Sequence, residues 1–231
     1  MTNPNLGRRD LLAAGAALAA AVGAPAAAQP APAAGKFETK PRPFSPAAVP
    51  GLSEKLLRSH YDNNYGGAVR RLNAIAAQLS GLDPATAPNF QLNGLKREEL
   101  IAWNSMILHE VYFAGLGAPT APSGPLATAI ERDFGSHQRW AAEFAGVGKA
   151  LGGGSGWVLL TWSPRDGRLV NTWAADHTMT LAGGTPILAL DMYEHAYHMD
   201  FGAAAGAYVD AFMKAISWRS ASDAFARITR G

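Results

Sequence analysis

The first half of the chain carries apolar residues at intervals of three and four, which is the spacing of a helix that buries one face. A helix is predicted to begin after the N-cap residue Ser53, to kink at Gly66-Gly67 and to end at Gly81. A second, longer helix is predicted from Lys96 to about Ala114. Its apolar stripe consists of Leu100, Trp103, Ile107, Val111 and Ala114. The pattern therefore predicts a helical hairpin.

Beyond a Gly/Pro-rich break at residues 115–125, the pattern changes to short apolar runs that are typical of buried strands. Two helices, near residues 126–134 and 137–151, precede the glycine-rich run 152–156, which is predicted to be a tight entry into the first strand. The predicted strands are 157–162, 168–174 and 185–190, and the closing helices are 203–216 and 222–228. We therefore predict an α+β fold, with a long helical hairpin followed by a three-stranded antiparallel sheet and flanking helices.

Composition places the 231-residue chain among the globular proteins, since 48% of its residues are hydrophobic and 16% are charged. A formal net charge of +2 is too small to indicate nucleic-acid binding. The chain has no cysteine, which excludes disulfides, iron–sulfur clusters and thiolate metal sites. Any metal ion must therefore be bound by His, Asp or Glu.

The first 28 residues have the organisation of an export signal. Gly7-Arg8-Arg9-Asp10 resembles a twin-arginine motif, an Ala-rich apolar stretch follows it, and Ala26-Ala27-Ala28 fits a small-residue cleavage site. The apolar stretch is interrupted by glycine and proline and is too weakly hydrophobic to favour a membrane span. We therefore predict a mature protein that is periplasmic or otherwise exported and has no membrane anchor.

Four segments of the chain follow from these patterns. They are a twin-arginine-type signal peptide over residues 1–28, a Pro/Ala-rich linker over 29–49, the helical hairpin domain over 50–117 and an α/β C-terminal domain over 118–231.

The strongest chemical signal lies where the third predicted strand ends. Asp191 follows the apolar run 186–190, and His195 comes one helical turn later. A carboxylate oxygen and an imidazole nitrogen at this spacing can reach one point, and together they suit Mn, Fe or Zn. An isolated D-x-x-x-H pattern is nevertheless more often just the polar end of a strand. A histidine on an apolar helix face, likewise, is more often a hydrogen-bonded core residue than a ligand.

The residues around this pair carry a resemblance to a known family. Residues 190–197, with the sequence LDMYEHAY, resemble the D-x-W-E-H-A-Y signature of the iron/manganese superoxide dismutases, with Tyr193 where the family usually has Trp. Further motifs similar to those of the family are His60-Tyr61, His109 with Tyr112-Phe113, and Gly154-Ser155-Gly156-Trp157. The resemblance extends from Leu52 to about Trp218 and includes the order of the predicted helices and strands.

The resemblance implies a metalloenzyme that converts superoxide, its small-molecule substrate, into O₂ and hydrogen peroxide. It implies one Mn or Fe ion per subunit, bound by His60, His109, Asp191 and His195. Three neutral imidazoles and one carboxylate are a donor set in which both M³⁺ and M²⁺ are accessible. The choice between Mn and Fe depends on the groups around the ligands and stays open.

Several positions around the implied site depart from the family pattern. Ala68 takes the place of a tyrosine that orients the substrate and relays protons, and Tyr65, one helical turn earlier, is the candidate replacement. Asn63 and Ala205 take the places of a lysine and an arginine that attract the anion. Because a positively charged funnel raises the association rate of an anion by roughly ten- to a thousandfold, we expect slower capture of superoxide here.

Two neighbouring residues match the family position that hydrogen-bonds the metal-bound solvent, depending on the alignment. They are Asp176 and His177. We favour His177, because an anionic Asp176 would add negative charge beside the metal. An ordinary polar loop is the alternative for both.

Glu194 resembles a family residue that pairs with the partner subunit's ligand histidine. This implies a homodimer that is bridged through Glu194 and His195. The other half of the family's pairing has changed, to His198 and Asn64. His137 has no implied role and is predicted to be solvent-exposed.

Two other interpretations stay open from the sequence. The first is a metal-binding homologue with little dismutase activity, which the residues Ala68, Asn63 and Ala205 favour. The second is a different redox metalloenzyme on the same scaffold, using the space that Ala68 opens.

Overall fold

A computed structural model describes residues 36–230 of the chain. The predicted signal peptide and the first part of the predicted linker lie outside the described residues. Residues 36–230 belong to one compact unit, and no helix within them is both long and apolar enough to cross a membrane. The domain boundary near residues 117–118 stays a prediction.

The N-terminal half of the described residues forms the predicted helical hairpin. Its elements are α1 (Glu54–Ser59), a π-helical turn (His60–Tyr65), α2 (Gly66–Ser80) and α3 (Asn89–Ala114). The Ser53 hydroxyl accepts a hydrogen bond from the Leu56 backbone N–H at 3.1 Å, which confirms the predicted N-cap. The helix is irregular in the π-helical turn and not at the glycine pair that follows, since Gly66 has an ordinary helical φ of −60°.

The long helix α3 buries a different face from the one that the apolar stripe predicted. Leu100, Trp103 and Ile107 are 47%, 41% and 40% exposed. The buried residues of α3 are Ala102, Ser105, Met106, Leu108, His109, Tyr112 and Phe113. Both faces carry apolar residues, so the periodicity could not distinguish them, and the face that the fold buries is the one with a serine and a histidine.

The C-terminal half contains the predicted sheet and its flanking helices. The helices are α4 (Gly124–Phe134), α5 (His137–Ala150), α6 (His198–Phe201), α7 (Ala205–Lys214) and α8 (Arg219–Ile228). The strands β1 (Trp157–Ser163), β2 (Arg168–Ala174) and β3 (Thr185–Asp191) form an antiparallel sheet in the order β2-β1-β3. The predicted α+β fold is therefore confirmed. At one end of the central strand, Trp157 pairs with Ala174 on one side and with Asp191 on the other.

The glycine-rich entry to β1 positions the residue that follows β3. Gly156 has a φ of +131°, and its carbonyl accepts a hydrogen bond from the Met192 backbone N–H at 2.9 Å. A Cβ atom at this position would lie 2.0 Å from the Ala174 carbonyl oxygen. Only glycine therefore fits between the ends of β2 and β3, where it ties Met192, the neighbour of Asp191, to the start of β1.

His137 is half-buried, which corrects the prediction of a solvent-exposed side chain. The centre of its ring lies 5.1 Å from that of Trp140 and 5.7 Å from that of Trp218. Its Nε2 atom is buried and has no hydrogen-bond partner among residues 36–230. Local sequence could not reveal this burial, because Trp218 arrives from a distant part of the chain.

Candidate metal centre

Four side chains from three separate parts of the chain converge at one point between the hairpin and the sheet. His60 opens the π-helical turn, His109 lies on α3, Asp191 ends β3, and His195 lies in a short 3₁₀ turn, Glu194–Ala196. One nitrogen or oxygen atom from each of the four lies within 4.8 Å of the others. The sequence places these residues up to 135 positions apart, and only the packing of the hairpin against β3 brings them together.

The Asp191 carboxylate lies at the centre of this cluster. Its Oδ2 atom is 3.1 Å from Nε2 of His60, 3.1 Å from Nε2 of His195 and 3.6 Å from Nε2 of His109. His60 and Asp191 are completely buried, and His109 is 1% exposed. The His195 side chain, in contrast, is 25% exposed, and it is the most accessible of the four.

Hydrogen bonds on the outer side hold two of the four side chains, those of His109 and Asp191. Nδ1–H of His109 donates to the Ser105 carbonyl oxygen at 2.6 Å, so the lone pair of Nε2 faces the cluster. On Asp191, Oδ1 accepts a hydrogen bond from the Tyr193 backbone N–H at 2.9 Å. Oδ2 is the carboxylate atom that remains for the three imidazoles.

Burial and the contacts among the four side chains together set the charge of the cluster. It lowers the pKa of His60, and it lowers the pKa of His109 to about 3, with a further contribution from the nearby His60. Burial alone would raise the pKa of Asp191, but His195 and His60 hold it well below its usual range. At neutral pH the two buried imidazoles are therefore neutral and the carboxylate is ionised, which is the protonation state that a metal site requires.

The residues fit a single metal ion. Nε2 of His109 is buried and has no hydrogen-bond partner among the described residues, although its ring is held rigidly from the other side. A buried acceptor without a partner is unfavourable, and a cation at the centre of the cluster would satisfy it. Three imidazole nitrogens and one carboxylate oxygen are donors that suit Fe, Mn or Zn.

His177 lies next to this cluster and is held by three contacts. The Trp157 indole N–H donates to its Nδ1 at 2.9 Å, which leaves the proton of the neutral ring on Nε2. The Asn104 amide donates to its carbonyl oxygen at 2.6 Å, and the Tyr193 ring stacks on it at 4.7 Å. Its ring centre is 6.3 Å from that of His109, and burial lowers its pKa.

Asp176, the alternative to His177, uses its carboxylate elsewhere. Its Oδ1 atom accepts hydrogen bonds from the Thr178 backbone N–H at 2.7 Å and from the Thr178 hydroxyl at 2.6 Å. Local hydrogen bonds of this kind stabilise the turn that contains the aspartate. The Asp176 carboxylate is thus occupied within its own loop, and the role of His177 stays a prediction.

Tyr65 is buried against His109, but its hydroxyl is hydrogen-bonded to residues outside the cluster. The two rings are stacked with centres 6.4 Å apart. The hydroxyl accepts a hydrogen bond from the Lys40 backbone N–H at 2.7 Å and donates one to the Glu110 carboxylate at 3.0 Å. Burial raises the pKa of Tyr65 to about 12. The catalytic role of Tyr65 stays a prediction. Ala68, which takes the place of the family's tyrosine, is also buried.

Sequence patterns missed three residues that support the cluster. Asn104 donates a hydrogen bond to the His177 carbonyl oxygen, and Glu110 accepts one from the Tyr65 hydroxyl. Lys40 is hydrogen-bonded to Tyr65 through its backbone N–H and forms an ion pair with Glu110. Asn104 and Glu110 lie on α3 close to His109, so their position was a weak signal. Lys40 lies in the predicted linker, where nothing in the sequence indicated a contact.

Comparison with known proteins gives concordant matches. The family model for the C-terminal domain of iron/manganese superoxide dismutases matches residues 122–224. A protein of Cupriavidus metallidurans named superoxide dismutase [Fe] is 70% identical over 84% of this chain and 98% of its own length. Superoxide dismutase [Mn] 1 of Halobacterium salinarum is 32% identical over 82% of this chain and 95% of its own length. Superoxide dismutase [Fe] of Aquifex pyrophilus is 31% identical over 78% of this chain and 87% of its own length.

Proposed function

Because this chain belongs to the iron/manganese superoxide dismutase family, we propose that His60, His109, Asp191 and His195 are the ligands of its metal ion. The chain is an oxidoreductase that uses one Fe or Mn ion to convert two superoxide anions and two protons into O₂ and hydrogen peroxide. The observation that carries the ligand assignment is the convergence of three imidazole nitrogens on Oδ2 of Asp191, at 3.1, 3.1 and 3.6 Å.

Each residue of the site contributes to binding or to proton supply. The bound metal ion supplies the one-electron redox couple that both half-reactions need. The single negative charge of Asp191 offsets part of the charge of the ion, and the neutral His60 and His109 add none. The hydrogen bond from Nδ1–H of His109 to the Ser105 carbonyl leaves Nε2 as the nitrogen that can bind the metal ion. Burial of His60, His109 and Asp191 keeps bulk water away from these three side chains.

We assign the supply of a proton to His177. Formation of hydrogen peroxide from superoxide requires two protons, and the Nε2–H of His177 is an oriented donor beside the ligands. The indole of Trp157 supports this role, because it occupies Nδ1 and so leaves the proton on Nε2. Tyr65 is proposed as a second contributor, with its hydroxyl linked to solvent through Glu110 and Lys40.

The ligand assignment is tested by metal analysis of matched histidine variants. His109→Ala should abolish stoichiometric metal binding, since it removes a ligand that is 1% exposed. His137→Ala is the control, because it removes a half-buried histidine outside the cluster and should leave the metal content unchanged. Full metal occupancy in His109→Ala would refute the assignment.

We propose iron as the physiological metal. The donor set accepts either ion. The relative that is 70% identical is named for iron, whereas the relative of Halobacterium salinarum, which is named for manganese, is 32% identical. Elemental analysis of protein purified from its own cells, followed by separate reconstitution with Fe and Mn, tests the proposal. Turnover that is restored by Mn but not by Fe would contradict it.

We propose that two copies of the chain form a homodimer bridged through Glu194 and His195. Glu194 is exposed beside the partly open ligand His195, and Met199 close by is 46% exposed. These side chains offer a carboxylate, an imidazole and apolar surface on one side of the metal cluster. Sedimentation of wild type and Glu194→Ala tests the proposal, and a wild-type protein that is monomeric at micromolar concentration would refute it.

We propose that the chain is exported by the twin-arginine route and cleaved after Ala28. Arg8-Arg9, the Ala-rich stretch and the small residues before Gln29 support this. Cell fractionation with N-terminal sequencing tests the proposal, using Arg8→Lys/Arg9→Lys as the control that should block export.

A lower rate of turnover is expected, because Asn63 and Ala205 replace two cations that attract superoxide. An alternative role, as a metal-binding homologue with little activity, is favoured by Ala68, Asn63 and Ala205. A superoxide-consumption assay on fully metallated protein separates the two roles. Metal-dependent turnover supports the enzyme, and full occupancy without turnover supports the alternative.

A further inference from the structure

The described part of the predicted linker packs against the helical hairpin. We call residues 36–45 the arm. Phe37 exchanges two hydrogen bonds with the Asn73 side chain on α2, at 2.8 and 2.9 Å, and its ring packs edge-on against Trp103 of α3 at 5.5 Å. Phe44 packs on Phe113 of α3 at 6.3 Å. The arm therefore contacts both helices of the hairpin along its length.

Lys40, in the middle of the arm, uses all three of its hydrogen-bonding groups on residues around the ligands. Its backbone N–H donates to the Tyr65 hydroxyl at 2.7 Å, and its carbonyl accepts a short hydrogen bond from the Tyr61 hydroxyl. Its ammonium group pairs with Glu110. The Tyr65 hydroxyl in turn donates to Glu110 at 3.0 Å, which closes the network.

Each partner of Lys40 is adjacent to a ligand. Tyr61 follows His60 in the π-helical turn, and Glu110 follows His109 on α3. Tyr65 ends the π-helical turn, and its ring stacks on His109 at 6.4 Å. The network therefore connects the segment that carries one imidazole ligand to the helix that carries another.

The π-helical turn is the part of the hairpin that most needs such support. π-Helical geometry is rare and is found mostly as single turns at functional sites, because its backbone packing is less favourable than that of the α-helix. The hydroxyls of Tyr61 and Tyr65 both lie on this turn, and both are bonded to the main chain of Lys40. Their rings also pack on each other at 5.2 Å, so the arm holds them as one unit.

We propose that Lys40 is a positioning residue of the metal centre, which fixes the spacing of His60 and His109 by joining Tyr61, Tyr65 and Glu110. The proposal rests on the ligand assignment made above. It predicts that loss of the Lys40 contacts changes the coordination of the metal ion and speeds its release, whereas an equal weakening of the arm elsewhere does not.

Four variants of the full chain separate these effects. Lys40→Pro removes the backbone N–H and the ammonium group, and Tyr65→Phe removes the hydroxyl from the same network. Lys40→Ala keeps both backbone groups and removes only the ammonium group, whose side chain is 72% exposed. Asn73→Ala is the matched control, because it removes two hydrogen bonds between the arm and α2 without touching Lys40.

The iron-loaded proteins are compared by the electron paramagnetic resonance spectrum of Fe³⁺ and by the rate of iron loss to a chelator. We expect Lys40→Pro and Tyr65→Phe to release iron about tenfold faster and to have an altered spectrum. Loss of residues that orient metal ligands typically changes metal affinity by about tenfold or more. Lys40→Ala should change the release rate by about threefold or less. Asn73→Ala should lower the melting temperature and leave the spectrum unchanged.

Wild-type spectra and release rates in both Lys40→Pro and Tyr65→Phe would overturn the proposal. If Lys40→Pro fails to fold, Tyr65→Phe decides alone. An altered spectrum in Asn73→Ala equal to that of Tyr65→Phe would also overturn it, because the effect would then belong to the arm in general. A failure of the ligand assignment is recognised by a separate measurement, since His109→Ala would then retain its full iron content.

Discussion

The substitution Gly156→Ala should break the junction between the sheet and the metal centre. Gly156 lies where β1 begins, with Ala174 on one side and Met192 on the other. It is the last glycine of a run of four in five positions, and the run therefore contains its own controls. Two other glycines of the run, Gly153 and Gly154, have no contact closer than 3.5 Å for an added Cβ atom.

The expected loss of stability follows from two terms. An alanine at a φ of +131° adopts a backbone conformation that L-residues rarely tolerate, which costs about 1–3 kcal/mol. Its Cβ would also lie 2.0 Å from the Ala174 carbonyl oxygen, and only a backbone shift can relieve this, at a further cost of about 1–3 kcal/mol or more. The sum, about 2–6 kcal/mol, is a large part of the total stability of a typical domain.

The two controls isolate these terms. Gly153 has a φ of +82° with open space around an added Cβ, so Gly153→Ala should lose only the conformational term, about 1–2 kcal/mol. An added Cβ on Gly154 lies 3.5 Å from the Leu151 carbonyl, an ordinary contact, and its φ is outside the left-handed region. Gly154→Ala should therefore stay within about 1 kcal/mol of wild type.

Urea denaturation of the metal-loaded proteins measures the free energy of unfolding, and elemental analysis of the same samples measures metal occupancy. Gly156→Ala should be the least stable of the three and should lose metal, because Met192 beside Asp191 loses its anchor. A Gly156→Ala protein within about 1 kcal/mol of Gly154→Ala, with full metal content, would refute the reasoning.

Three substitutions test other contacts. Ala68 is 7% exposed, so Ala68→Tyr should overpack the hairpin and lower the free energy of unfolding by about 1–3 kcal/mol; gain of activity at unchanged stability would contradict this. Trp157→Phe removes the donor to His177, and turnover should fall about tenfold at unchanged metal content, whereas wild-type turnover would exclude this role. Burial lowers the pKa of His137, although the charge of Glu131 acts in the opposite direction. The stability that the neutral His137 contributes is therefore present above the unfolded pKa of about 6.5 and decreases as the pH falls below it. In metal-loaded protein, His137→Phe should flatten the melting temperature between about pH 7 and 5, and curves parallel to wild type would refute this.

The departures between prediction and structure have physical causes. The glycine pair Gly66-Gly67 predicts a kink, but Gly66 has regular helical geometry and the irregular turn begins at His60. A π-helical turn has no composition of its own, because it is stabilised by the contacts that its side chains make with other elements. The arm illustrates the same point, since Lys40 lies in a Pro/Ala-rich segment and its partner Glu110 is 70 residues away.

The sequence by itself determined the order of the elements and the four candidate ligands. Apolar spacing distinguishes helices from strands, and the motif around Asp191 and His195 is local enough to be recognised in the linear chain. Tertiary structure alone decided which face of α3 is buried, which nitrogen of His177 carries its proton, and how Lys40 joins the segments of the metal site. These features depend on atoms that meet across 20 or more residues of sequence, and no local pattern encodes such contacts.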